Sequence, residues 1–110
     1  MTAETALMLP LLVALAAGLV WLLAVGLAQV RVTDAAREAA RATARGDTWP
    51  QAQELALRVA PAGASVERST ESGAVVVRVE ADAGGPGGLL GRLVPDVRVG
   101  ATAVAAAEEP

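Results

Sequence analysis

A long uncharged segment near the amino end constrains the fold of this chain more than any other feature. No charged residue occurs in residues 5–30, and residues 6–28 are apolar or small throughout, with one proline, Pro10. A helix rises about 1.5 Å per residue, so the apolar stretch reaches roughly 34 Å, enough to cross a hydrocarbon core of about 30 Å. The sequence therefore predicts a membrane span over about residues 5–30.

A single acid, Glu4, stands directly before this span. A carboxylate is costly to hold at the edge of a bilayer, and an ionisable residue in that position indicates a function by default. Glu4 is therefore a candidate site residue.

The helix is expected to continue beyond the membrane. Residues 29–45 are rich in strong helix formers, and Gly46 follows them as a typical helix end. We predict one long helix within residues 1–46, with residues 31–46 as its soluble extension. A stripe of small residues runs along one face of this extension, at Ala28, Val32, Ala35, Ala39 and Ala42.

Another face of the extension carries arginines. Two interpretations remain open for it, a solvated charged face or a surface for a neighbouring subunit or acidic lipid head groups. The residues of this possible partner face are Arg31, Arg37, Arg41 and Arg45.

Two features inside the span bear on helix contacts. Small residues four apart permit close helix packing, although they are frequent in any alanine-rich chain. Pro10 removes a backbone donor and is predicted to make the first turns flexible. The candidate packing residues are Ala14, Gly18, Ala24 and Ala28.

The rest of the chain predicts a small domain. Residues 47–61 form a short helix and turn, capped by Asp47 or Thr48. Residues 62–107 form an antiparallel β domain with strands at 64–69, 74–82 and 96–106 and a glycine-rich loop at 83–88, and residues 108–110 form a tail. The predicted fold class is α+β: a long transmembrane-to-soluble helix, a short second helix and a three-stranded antiparallel sheet packed on the long helix.

Composition argues against several classes of function. The formal net charge of −3 disfavours nucleic acid as a partner. The chain contains neither Cys nor His, and no serine has a base beside it to activate it. We therefore expect no enzymatic activity, no catalytic residues, no metal site and no cofactor.

Several short motifs, taken in order, resemble one family. They are Thr2-Ala-Glu-Thr-Ala6, Leu9-Pro10, Gln29-Val-Arg31, residues 34–41, Pro61-Ala-Gly63, residues 87–91 and Val97-Arg-Val99 with the alanine-rich end. In this order and spacing the chain resembles TadE-like minor pilins of actinobacteria, over nearly its full length.

The resemblance implies a type IV pilin-like subunit of the Tad (tight adherence) pilus system. Such subunits are inserted in membrane lipid through the apolar helix and assemble with other pilin-like subunits and the Tad machinery. Glu4 matches the acid that is thought to pair with the free amine of a neighbouring subunit. A prepilin peptidase is an implied partner if a basic leader lies upstream, since none precedes Met1 in this sequence.

Charge and resemblance disagree on topology. The arginines after the span place the carboxyl side in the cytoplasm by the positive-inside rule. The resemblance implies an extracytoplasmic carboxyl domain, either at the cell membrane or in a surface pilus, and we adopt that orientation.

Two other functions remain open. One is a single-pass anchored accessory protein that binds a partner through its arginine face. The other is a small secreted domain released after Ala28, where Gly26-Leu-Ala28 resembles a signal cleavage site.

Overall fold

The computed structural model describes residues 2–83 and 97–106 and contains two helices and three strands. The elements are α1 (Ala3–Ala44), α2 (Trp49–Val59), β1 (Ser65–Glu71), β2 (Ala74–Ala83) and β3 (Val97–Ala106). The predicted fold class is confirmed. The predicted glycine-rich loop at 83–88 lies outside the described residues except for Ala83, which ends β2. The predicted tail at 108–110 also lies outside the described residues.

Helix α1 begins at Ala3, within the predicted range of 1–46, because Thr2 caps it. The Thr2 hydroxyl accepts a hydrogen bond from the Thr5 backbone N–H at 3.4 Å, which satisfies one of the unpaired donors at the helix start. The helix continues through Pro10 and ends at Ala44. Gly46 follows with a positive φ of 95°, a conformation that glycine adopts without strain.

Helix α2 starts from a reciprocal cap. The Gln51 N–H donates to the Thr48 hydroxyl at 3.4 Å, and the Thr48 N–H donates to the Gln51 side chain at 3.0 Å. Pro50 lies in the first turn, where its missing N–H costs nothing. Of the two predicted caps, Thr48 is therefore used, and Asp47 pairs with Arg45 at 2.8 Å.

The three strands form an antiparallel sheet in the order β1-β2-β3. The first hairpin turns through only two residues, Ser72 and Gly73, with φ values of 50° and 80°. Two successive positive φ angles are the geometry that matches the twist of paired strands. Strand β1 therefore extends to Glu71, two residues further than the predicted end at Ser69.

The core lies between the inner face of the sheet and the two helices. Its fully buried side chains are all alanine and valine, the largest being Val32, Val77 and Val79, and Trp49 and Leu55 pack against it partly buried. All five residues of the predicted small-residue stripe are buried, and α2 adds Ala52 and Ala56. Small side chains let the helix approach the sheet closely, which positions α1 along β2 and β3.

This packing predicts that Val77→Ala destabilises the protein by about 2 kcal/mol, since it removes two buried methyl groups and leaves a cavity. Val104→Ala is the matched control, because Val104 is also on a strand but is 64% exposed. It should change stability by less than about 0.5 kcal/mol. Denaturant unfolding of the full chain in detergent, followed by circular dichroism, measures both, and equal effects would contradict the described core.

Candidate functional site

The first half of α1 is uncovered by the rest of the described chain. Its large apolar side chains face outward, with Leu7 75% and Leu23 73% exposed. The most apolar part has a mean hydropathy of 2.6 and is only 6% buried. A core helix of a soluble protein would be mostly buried, so this half-helix has both the length and the exposure of a membrane span.

Packing of the sheet determines where this uncovered part ends. Val25 is half-buried against the core and Ala28 is buried, so the small domain begins at that level of the helix. Residues 5–24 are exposed except for Trp21, which is half-buried, and about 20 helical residues span about 30 Å, the thickness of the hydrocarbon core. Within the predicted span of 5–30, Val25 and Ala28 also pack against the small domain, whereas Leu27 and Val30 are 50% and 55% exposed.

Glu4 lies in the first turn of α1 and is exposed. The unpaired N–H groups of that turn favour a negative charge there. Glu4 forms no ion pair with another described residue, so a cation for it would have to come from outside this part of the chain.

Pro10 lies within α1, which is helical on both sides of it. Pro10 has no N–H to donate to the carbonyl of Ala6, so one helical hydrogen bond is missing inside the free segment. Its proposed flexibility stays a prediction.

The four candidate packing residues have different surroundings. Ala14 and Gly18 line a shallow apolar groove on α1, and a Cβ added at Gly18 would meet nothing within 4 Å. Ala24 is exposed. Ala28 differs from the predicted arrangement, because it is 8% exposed and packs inside the chain's own core. The surface open to another helix therefore contains Ala14, Gly18 and Ala24.

The four arginines do not form one cluster. Arg41 lies 3.6 Å from Glu38, a pairing that their spacing predicts, and Arg45 pairs with Asp47 at 2.8 Å. Arg31 and Arg37 are exposed and pair with no carboxylate in the described part of the chain. Exposed pairs of this kind contribute little to stability, so these side chains remain available for other contacts.

Sequence reasoning missed the roles of two glutamines. Gln29 on α1 donates its side-chain amide to the carbonyl of Gly100 on β3, at 3.0 Å. Gln53 on α2 donates to the carbonyl of Val66 on β1, at 3.5 Å. Each bond satisfies one backbone group at a free edge of the sheet, a place where chains are prone to pair with other strands. Nothing local in the sequence indicates these contacts, since each depends on the tertiary position of a strand.

Sequence reasoning also missed an ion network on the outer face of the sheet. Glu80 accepts hydrogen bonds from Arg98 at 3.0 Å and from Arg78 at 2.8 Å, and Arg98 also donates to Asp82 at 3.1 Å. The hydrogen bond from Arg98, followed by that from Arg78, lowers the pKa of Glu80 below its ordinary value. Gly100 faces Glu80 across the strands, and a Cβ at Gly100 would lie 3.4 Å from the Glu80 side chain.

Comparison with known proteins gives a family match for the amino-terminal helix. The family model described as TadE-like protein matches residues 1–41, which include Glu4, the free apolar segment and most of the alanine stripe. The chain is TadE-like over this helix. The match agrees with the resemblance carried by the sequence motifs and indicates a pilin-like protein associated with the Tad pilus. No curated protein and no solved structure matches the chain.

Trp21 can report where the membrane span of α1 ends. If the hydrocarbon core covers residues 5–24, Trp21 lies about 5 Å inside its edge, whereas a span of 5–30 would place it about 13 Å inside. We expect the fluorescence of the Trp49→Phe variant, in lipid vesicles, to be quenched most by lipids brominated near the head group. The Trp21→Phe variant is the control and should show little quenching, because Trp49 lies in the small domain. Strongest quenching by bromine near the bilayer centre would contradict the shorter span.

The ion network predicts a pH-dependent stability. Because the pKa of Glu80 is lowered in the folded protein, its stabilising effect is present above the ordinary pKa of 4.5 and is lost as the pH falls through the lowered value. Glu80→Gln should therefore lower the melting temperature at neutral pH, and this difference should shrink in acid. Glu67→Gln, on the same outer face, is the control and should behave like wild type. An effect of Glu80→Gln that is constant from neutral pH into acid would contradict the role of the charge.

Proposed function

We propose that the chain is a structural minor pilin of a Tad-type pilus, or of a related secretion-like assembly, and not an enzyme. It is inserted through α1, and its small domain lies on the extracytoplasmic side. The observation that carries this proposal is the apolar half of α1, which follows Glu4 and whose large apolar side chains are mostly exposed.

Exposed apolar surface on this scale requires an apolar environment. Lipid covers it in the membrane, and the helices of neighbouring subunits would cover it in a filament. The groove at Ala14 and Gly18 gives such a neighbour a place of close approach. The same surface therefore suits both environments of a pilin-like subunit.

Glu4 adds a reason for assembly. A carboxylate drawn into lipid without a partner costs several kcal/mol, and pairing with the amine of a neighbouring subunit removes much of that cost. The described residues offer Glu4 no cation, which supports a partner from a neighbouring subunit. A requirement for this pairing would also restrict neighbouring helices to one relative position.

The core between α1 and the sheet suits a mechanical role. The helix is continuous from Ala3 to Ala44, so its free half and its packed half form one rod. The sheet is fixed to the packed half by buried alanine and valine. A force applied to the small domain would thus be transmitted to the apolar half.

A test of this proposal is Glu4→Gln, which keeps the size of the side chain and removes its charge. We expect loss of surface pili by at least about tenfold, with unchanged protein in the membrane fraction. Asp34→Asn is the matched control, since Asp34 is an exposed acid on the same helix but beyond the span. Electron microscopy of cells and immunoblots of membrane fractions measure the two quantities. Normal piliation in the Glu4→Gln strain would overturn the proposed role of Glu4.

The anchored accessory protein remains a second candidate because Arg31 and Arg37 are exposed and pair with no carboxylate in residues 2–83 and 97–106. Crosslinks confined to the region beyond Arg31 would favour it. The secreted-domain alternative is less well supported. Cleavage after Ala28 would remove Val25 and Ala28 from the core, and an intact-mass measurement of the mature protein distinguishes the two forms.

A further inference from the structure

The geometry of the first hairpin determines which backbone groups lie at the free edges of the sheet. In a two-residue hairpin, the residues that flank the turn, here Glu71 and Ala74, form a hydrogen-bonded pair. Hydrogen-bonding direction then alternates along each antiparallel strand. On β2, the backbone groups of Val76 therefore point to β1, and those of Val75 and Val77 point to β3.

The same alternation extends to both edge strands. On β3, Ala103 and Ala105 face Val77 and Val75 and bond to β2, so Gly100, Thr102 and Val104 direct their backbone groups away from the sheet. The bond from Gln29 to the Gly100 carbonyl agrees with this assignment.

On β1, the alternation directs the backbone groups of Val66, Arg68 and Thr70 outward. The bond from Gln53 to the Val66 carbonyl agrees with it. The two glutamines occupy the same end of the sheet, since Val66 and Gly100 are one row apart. The other end of each edge, including Val104 on β3 and Thr70 on β1, has no such cap among the described residues.

The uncapped part of β3 borders an open groove. The groove is formed by one face of α1 and the end of the strand, and it is lined by Arg37, Ala40, Arg41, Ala44 and residues 103–106. Val104 is 64% exposed there. An extended segment could therefore reach the free backbone groups of Thr102 and Val104.

The two edge strands, β1 and β3, contain residues of the same rows and run in the same direction. Ser69 pairs with Val76, and Val76 pairs with Val104, so these three residues form one row across the sheet. Strands β1 and β3 both run antiparallel to β2 and hence run in the same direction. If a second copy places its β1 beside β3 so that the sheet continues, Ser69 of that copy can occupy the same row as Val104 of the first.

The hydrogen-bonding groups are also correctly placed for parallel pairing at that level. In a parallel pair, a residue bonds to the two neighbours of the residue opposite it. The Val104 N–H would donate to the carbonyl of Arg68 in the second copy, and the Val104 carbonyl would accept from the N–H of Thr70. Both of these groups point outward from β1, as the pairing requires, and a shift of one residue would remove the match.

We propose that a second copy of this chain adds its β1 to the β3 edge at Thr102–Ala106, so that the sheet continues from one subunit to the next. On the outer face, Glu67, Ser69 and Glu71 of one copy would then lie beside Thr102, Val104 and Ala106 of the other, and no row brings like charges together. This inference rests on the proposed assembly of copies held in one orientation by α1.

Cysteine crosslinking tests the inference, because the chain contains no cysteine of its own. In the Ser69→Cys/Val104→Cys variant the two thiols of one copy are separated by β2, about 9–10 Å between strands, too far for an internal disulfide. Mild oxidation of the full chain in membranes should give a ladder of disulfide-linked dimers, trimers and larger species. Ser65→Cys/Val104→Cys is the matched control. It uses the same strands and the same face, but Ser65 lies about 13 Å along β1 from Ser69, so this variant should give several-fold less product.

The second test pair, Glu67→Cys/Thr102→Cys, lies one row of outer-face residues away and should give the same ladder. An equally strong ladder from the Ser65→Cys/Val104→Cys control, or dimers from Val104→Cys alone, would overturn the proposed register. An Ala14→Cys variant reports contact between the apolar helices independently of the sheet. Crosslinking at Ala14 without any ladder from the sheet pairs would overturn the edge pairing and leave the proposed function standing. Absence of crosslinks both at Ala14 and from the sheet pairs would count against the edge pairing and against the proposed function.

Discussion

The contact between the alanine stripe of α1 and the inner face of the sheet is the interaction on which the other features depend. A three-stranded sheet of this size is not stable without a partner for its apolar face. Here the partner is a helix whose buried side chains are almost all alanine, with Val32 as the exception. Because those side chains are small, helix and strands approach closely, and the glutamines on the two helices reach the backbone at the sheet edges.

This contact also divides α1 into two functional parts. From Val25 onward the helix belongs to a folded domain, and before it the helix is apolar and uncovered. The part of α1 before Val25 is about 20 residues long, the length that a helical membrane span requires. In the proposed pilin, Glu4 at one end and the sheet at the other would limit how far the subunit can move along the membrane normal.

The sheet edges show how a small domain can be protected and still assemble. Gln29 and Gln53 cap one carbonyl each, at the end of the sheet nearer the apolar half of α1. Such caps limit uncontrolled strand pairing, to which exposed edges are prone. The ion network around Glu80 adds charge to the same end of the outer face, whereas the opposite end presents Val76 and Val104. In the proposed assembly, contacts between subunits would form at the uncapped end.

The sequence by itself determined the elements and their faces, because those depend on local periodicity. The uncharged run, the helix formers up to Gly46 and the alternation of valines in β2 were sufficient to predict the fold class and the buried stripe. The order and spacing of the short motifs along the chain were sufficient for the resemblance to TadE-like proteins. Only the tertiary structure decided where the free segment ends, that Ala28 is used inside the chain, and which side chains meet at Glu80 and at the sheet edges. Each of these depends on the level at which strands distant in sequence pack along α1, and no local pattern specifies that level.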